Sequence, residues 1–267
     1  MGNWMFRLGA VALLALGVVL LVPQAGPRSA LVLFFGGLLV VAGFGLAWRQ
    51  VRDGQVIDRY RHAVEHLGSE QAEVRLGGLR ELELIAQDSV RSRLLVDATL
   101  GDFLRDRSPW TEHLTEPAGE RPTPLEQDVR AALAILTRPG AEVDLSHVDL
   151  RGVELGRQEL AGAVIRRSNL AGARLLGARL DGCALDATDL RDADLRGASL
   201  REASLRGACL EGTDLRAADL TDADLRGADM RAHNLDKAVL TGARVNRGTL
   251  WPPDFTPARV SASLFSD

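Results

Sequence analysis

Aspartate recurs on a fixed grid in the last third of this sequence. Asp189, Asp194, Asp214, Asp219, Asp224 and Asp229, with Asn234, fall on a spacing of five, and arginines stand two places later at Arg191, Arg196, Arg216 and Arg226. Carboxylates brought together can act as general acid and base, or hold a metal with histidine and cysteine. Here their spacing is dictated by a repeat, so solvation of an outer surface explains them. His62 and His66 stand four apart and could share a metal. No third ligand lies at an obvious spacing, and the helix face around them is charged, so they read as solvated. Cys183 and Cys209 are the two cysteines, far apart and outside any CxxC arrangement, which argues against a disulfide framework or a structural zinc site. No GxSxG, HExxH, Walker-type loop or Rossmann fingerprint occurs. The expectation is a protein without catalytic, cofactor-binding or metal-binding residues, and not an enzyme.

The grid asks what element would set it, because a helix repeats at 3.6 residues and a strand at 2. Counting by five from Leu145 to Leu250 gives 22 positions, of which 19 are Leu and the others Ile165, Met230 and Val245. Small residues recur two places before the centre, as at Ala193, Ala198, Ala203, Ala218 and Ala223. With Leu190, Leu195, Leu200, Leu205, Leu210, Leu215, Leu220 and Leu225 they form the expected core of the repeat. Side chains alternate along an extended segment, so Leu and the preceding Ala point the same way and the Asp between them points out. Glycine two places after the centre lets the chain turn. Five residues are then one side and one corner, four corners close a square, and twenty residues make one coil stacked on the next at about 4.8 Å.

Tandem units such as ADLRG, ASLRE, ASLRG and ADLTD resemble the pentapeptide-repeat family over about 141–250. That resemblance implies a right-handed quadrilateral β-helix, a solenoid. The wider layout resembles a group of bacterial membrane proteins with two spans, a helical segment containing VRLGG, the repeats, and a tail like TLWPPDF at 249–255. Gln158 and His233 take the inward position where Ala is usual. Arg166, Arg167, Arg174, Leu176 and Arg179 interrupt the outward pattern, so the first two coils are expected to be less regular. Cys183 falls inward and Cys209 outward, where it would be the more reactive.

The remaining chain must anchor and cap this solenoid. Of two apolar runs, at about 4–22 and 30–48 with PQAGPRS between them, the second meets the ~20 residues needed to cross a bilayer by itself and the first does so with Arg7 snorkelling to the interface. A cleaved signal peptide is the rival reading, disfavoured by Pro23 and by the second run that follows at once. The reading is a transmembrane hairpin over 1–48, contacting the lipid bilayer through 4–48. Arg49, Arg52, Arg59 and Arg61 outnumber the lone Arg28 of the connecting loop, which puts both termini in the cytoplasm of a two-span, multi-pass protein of the cell membrane. Residues 49–140 read as a small α-helical segment with a linker at about 108–123. Ser69 would cap one helix and Ser89 the next. Thr123-Pro124-Leu125-Glu126 reads as a capping box, and Gly77-Gly78 as a place of close helix approach. Residues 251–267, with Trp251, Phe255, Val260, Leu264 and Phe265, would cap the far end or make a homodimer contact.

Charge limits the function classes. The formal net charge of the chain is −4, and 143–250 hold 17 acidic against 16 basic residues. A DNA mimic that binds topoisomerases needs a strongly acidic face, and nucleic-acid binding needs a basic one with aromatics for stacking; neither is expected. What remains is a membrane-tethered scaffold or protein–protein interaction module with an unidentified protein partner.

Overall fold

The computed structural model describes residues 55–110 and 125–255. Tyr60–Asp267 form one compact unit, to which the contacts below belong. Helix α1 covers 55–67, α2 is Ala72–Ala86, α3 is Val90–Arg107 and α4 is Gln127–Leu136. Ser89 caps α3, its hydroxyl accepting from Ser92 N–H at 3.1 Å. The other two starts differ from expectation. Ser69 Oγ accepts from Gln71 N–H at 3.2 Å, but the helix begins only after Gln71. The helix expected from Pro124 begins after Glu126, whose side chain makes no capping bond.

Helices α2, α3 and α4 pack on one another through Leu79, Leu82, Ile85, Val96, Leu100, Leu104, Val129, Leu133 and Leu136, all buried. A Cβ on Gly78 would lie 2.7 Å from Ala63 O, so α1 and α2 approach there as closely as backbone allows. Its neighbour Gly77 faces open space. Arg75 pins the module from within. Its Nε donates to Asp128 Oδ2 at 2.5 Å, and its Nη1 donates to Ser69 O and Glu70 O at 2.9 and 2.8 Å. Burial pushes the Asp128 carboxyl up, but Arg75, the Val129 N–H and Arg107 together hold it below the usual range.

Beyond Pro139-Gly140 the chain winds as a solenoid. Bridges join Asp144 to Val164, Asp149 to Asn169, Glu154 to Arg174 and Glu159 to Arg179, all parallel and each twenty residues apart. Those four ladders are the four sides. Each coil gives the next two bonds per side, as in Leu185 N–H to Ser204 O at 2.7 Å and Ser204 N–H to Cys183 O at 2.8 Å. Pairing stays at single-residue bridges because a corner arrives every five residues. Leu145 through Leu225 and their inward partners are buried, including Leu190, Leu195, Leu200, Leu205, Leu210, Leu215 and Leu220 with Ala193, Ala198, Ala203, Ala218 and Ala223; the exception is Gln158, which stays half-buried in its inward position. Every corner from 147 to 227 has its third residue left-handed, whether glycine or not: His147, Arg157, Arg167, Ala187, Asp192, Glu202, Ala217 and Asp222 adopt φ between 50° and 63°.

The irregular coil is the last, not the first two. Charged residues at 166–179 point outward, and the twenty-residue register runs through them unbroken. At the other end Asp214 pairs with His233 after nineteen residues, and Asp229 with Leu250 after twenty-one. His233 is too large for the inward slot, so the chain slips by one: Ala232 is buried there and His233 is exposed. A 3₁₀ turn, Leu235–Lys237, takes up the slack. Thr249 then turns inward, its Oγ1 donating to Leu225 O at 2.9 Å, and Leu250, the last residue of the sequence grid, is 51% exposed.

At the helical end, residues expected to be linker pair with the first coil. Trp110 N–H donates to His147 O at 2.9 Å, Asp149 N–H to Ser108 O at 2.7 Å, and Ser108 Oγ to Asp149 O at 2.6 Å. This antiparallel segment covers the otherwise open edge of the second side.

The two spans expected at 4–22 and 30–48 lie outside the described residues, as does most of the tail, 256–267. Among the described residues no helix is long and apolar enough to cross a membrane. The longest, α3, carries charges on nearly every turn. The reading as a two-span protein of the cell membrane with cytoplasmic termini is therefore corrected, because no described element carries it. At the C-terminal end Trp251 stacks on Phe255 with ring centroids 5.1 Å apart.

Candidate interaction surface

The outward aspartates first serve their own backbone. Oδ1 of Asp144, Asp149, Asp189, Asp194, Asp214, Asp219, Asp224 and Asp229 accepts the N–H two residues on, at 3.0–3.3 Å. This Asx turn starts each of these corners, which is why Asp and Asn prevail just before the central residue. Where that second residue is arginine, its guanidinium can fold back onto the same carboxylate. Arg196 reaches Asp194 with Nε and Nη2 both at 2.7 Å, and Arg231 reaches Asp229 with Nη2 at 2.5 Å. The arginine bonds hold Asp194, Asp224 and Asp229 below the ordinary carboxylate range. Carboxylates so held are poor bases and poor nucleophiles; they build surface.

The four sides differ in charge although the solenoid as a whole is near neutral. The side built on Leu160, Leu180, Leu200 and Leu220 carries Glu159, Asp181, Glu202, Asp219 and Asp222. Arg179 and Arg201 interrupt it, contacting Glu159 at 3.4 Å and Asp219 at 3.0 Å. It is not the unbroken acidic face that imitation of DNA requires. The adjoining side, built on Leu185, Leu205, Leu225 and Val245, is basic at its C-terminal end. There one carboxylate, Asp224, buried to 4% exposure, meets three guanidinium groups: Arg226 at 2.6 Å, Arg244 at 3.5 Å and Arg206 at 4.0 Å. Arg206 and Arg244 remain more than half exposed. Counting arginines along the sequence does not reveal this cluster, because its members come from successive coils.

The polar groups singled out by residue type separate cleanly. Cys183 is fully buried, its Sγ donating to Leu160 O at 2.8 Å, and burial pushes its thiol up to about 12. Cys209 is half-buried, and burial raises its thiol as well, which lowers the reactivity expected of an outward cysteine. It lies near Glu211 and Asp229, but Asp229 is already held by Arg231. His62 is exposed beside Glu65 at 3.5 Å. Sequence reasoning passed over Asp97. It sits on the stripe Val96, Leu100, Leu104 of α3, and a charge in that register is the signal that could have found it.

The family model described as pentapeptide repeats matches residues 141–177, 178–216 and 218–250, in eight copies. Among curated proteins none matches the chain. Similar solved structures include a pentapeptide repeat protein, Rfr23, from the cyanobacterium Cyanothece 51142 (26% identity, 40% of this chain, 90% of that one, TM-score 0.22). HetL of Nostoc sp. strain PCC 7120, a pentapeptide repeat protein involved in heterocyst differentiation regulation, is 27% identical over 44% of this chain and 58% of its own (TM-score 0.26). A pentapeptide repeat protein of the Arabidopsis thaliana thylakoid lumen is 33% identical over 38% of this chain and 68% of its own (TM-score 0.20).

Proposed function

We propose, from the premise that this chain belongs through residues 141–250 to the pentapeptide-repeat family, that it works as a protein-interaction scaffold whose solenoid offers its basic side to an acidic protein surface. The observation that carries this reading is the cluster of Arg206, Arg226 and Arg244 around the single carboxylate of Asp224. One negative charge is shared by three cations on a rigid face, so the excess is available to a partner. Arginine suits the task because its planar fork matches carboxylates and loses little freedom on binding. Rigidity comes from the paired coils, so the partner meets a surface that is already ordered.

In-cell cross-linking with affinity capture and mass spectrometry tests it, comparing the full chain, a version ending at residue 140, and the full chain carrying Arg206→Glu and Arg244→Glu. A partner captured by the full chain and lost from both variants supports the reading. A partner retained by the charge-reversed chain moves the interaction off this side.

A further inference from the structure

A cleft of about 920 Å³ lies between α3 and the first coil. Five carboxylates, those of Asp97, Asp102, Glu142, Asp144 and Glu159, line it against one cation, Arg105. Arg105 is already committed, to Asp102 at 2.7 Å and Asp144 at 3.6 Å. Asp97 is the unusual member. It is 2% exposed; its Oδ2 accepts from Glu142 N–H at 3.1 Å, and its Oδ1 is buried with no hydrogen-bond partner. Arg93 and Arg138 act on it electrostatically, yet neither donates a hydrogen bond to it. Burial raises its carboxyl, with Glu142 adding to the rise and the Glu142 N–H and the two arginines opposing it. A buried acceptor without a donor is costly, and a cationic donor entering the cleft would remove that cost.

The second observation is the open edge of the solenoid. Arg179 N–H donates to Gln158 O and Leu160 N–H to Arg179 O, which joins the fourth side of the first coil to the next. On its other edge, among the described residues, the backbone N–H and C=O of Glu159 are unpaired. On the second side Ser108–Trp110 fills the corresponding edge, which shows that this solenoid accepts an added extended segment. Unpaired edge groups recognise an extended backbone, and a pocket beside them selects its side chain.

We infer that the cleft takes an extended peptide segment bearing a lysine or arginine, its backbone pairing with Glu159 and its cationic group answering Asp97. The partner is therefore a protein with an exposed, basic, extended strand or tail. This site is independent of the basic side of the solenoid, and failure of that reading leaves it intact.

The test uses the full chain and a labelled seven-residue peptide with one central lysine flanked by valine and threonine, titrated by fluorescence anisotropy. Amide hydrogen exchange is followed on the same samples. The wild-type chain binds the peptide and the Glu159 amide gains protection. Asp97→Asn keeps the acceptor for Glu142 N–H but removes the charge, and weakens binding by roughly tenfold or more. Ala161→Trp, on the exposed rim, blocks the cleft without touching Asp97 and also abolishes binding. A peptide with norleucine for lysine does not bind. No binding by the wild-type chain, equal binding of the norleucine peptide, or unchanged affinity in the folded Ala161→Trp variant would each overturn the inference.

Discussion

Arg226 closes on Asp224, two residues before it, with Nε to Oδ1 at 2.8 Å and Nη2 to Oδ2 at 2.6 Å. The same fork is made by Arg196 on Asp194 and Arg231 on Asp229. These carboxyls lie below their ordinary value of 3.8 in the folded chain, as do Asp128 and Asp219. A depressed folded value means stability that is complete above the unfolded value, about 3.9, and is lost as pH falls through the folded one. These five carboxyls should therefore leave the denaturant midpoint unchanged from pH 6 to about pH 4 and lower it from there to pH 2. In Arg226→Ala, carbonyl NMR titration should find Asp224 shifted up toward its ordinary value.

Asp97 should show the opposite linkage. Its raised folded value means that the ionised form opposes folding, so its cost is present at neutral pH and fades as pH falls through that value. Asp97→Asn should be at least as stable as the wild type at pH 7, with the difference narrowing toward acid. A loss of stability at pH 7 would show that the carboxylate is satisfied in a way the geometry does not contain.

Arg75 and Asp128 form a buried pair that joins the starts of α2 and α4. Removing Arg75 takes away the principal partner of a buried carboxylate and leaves it the Val129 N–H and Arg107 at 3.6 Å, so Arg75→Met should cost up to about 3–5 kcal/mol. Arg75→Met with Asp128→Leu should recover much of that loss, by the same principle. Chemical denaturation of the two single variants and the double gives the coupling.

The left-handed corners give a pair of opposite effects. Gly197 has φ of 63°, and a methyl group added there would find nothing within 4 Å, so Gly197→Ala should cost about 1 kcal/mol from backbone strain alone. At Gly212 a Cβ would also meet the Asp192 carboxylate, and the cost should be larger. Ala187→Gly, at φ of 55°, removes strain but adds freedom to the unfolded chain, and should change stability by less than about 1 kcal/mol. Thermal unfolding of the three variants decides the order.

Inward and outward positions near the last coil can be told apart by size. Ala218 is fully buried, so Ala218→Leu should cost about 1–3 kcal/mol through overpacking. His233 is exposed after the one-residue slip, and His233→Ala should stay within about 0.5 kcal/mol. A large loss at His233 would return it to the inward slot.

Much of the solenoid was legible because one residue in five has a single task. Leucine fills the interior, alanine makes room beside it, and aspartate opens the corner, so the period emerges from residue types alone. The slip at Ala232–His233 was not legible, because a count by five cannot register a lost residue that a later gain restores. Leu250 kept the grid while leaving the core. The pairing of Ser108–Trp110 with the first coil also escaped, since a polar stretch before prolines looks like linker until an open edge lies beside it. The arginine cluster around Asp224 and the acid cleft around Asp97 are made by stacking and docking, which bring together residues far apart in the chain.

Eight corners hold the left-handed turn without glycine, so a coil keeps its geometry whether or not glycine stands at that corner position. A chain with this property can be lengthened by copying one coil's worth of codons in frame. The copied coil would find the same neighbours above and below, and its surface residues would be free to diverge. The slipped final coil marks where such growth stops: copies of the coils up to Met230 keep the register, while a copy that includes Ala232–His233 inherits the defect. In heredity, then, the molecule is a text with an extensible middle and a fixed last line.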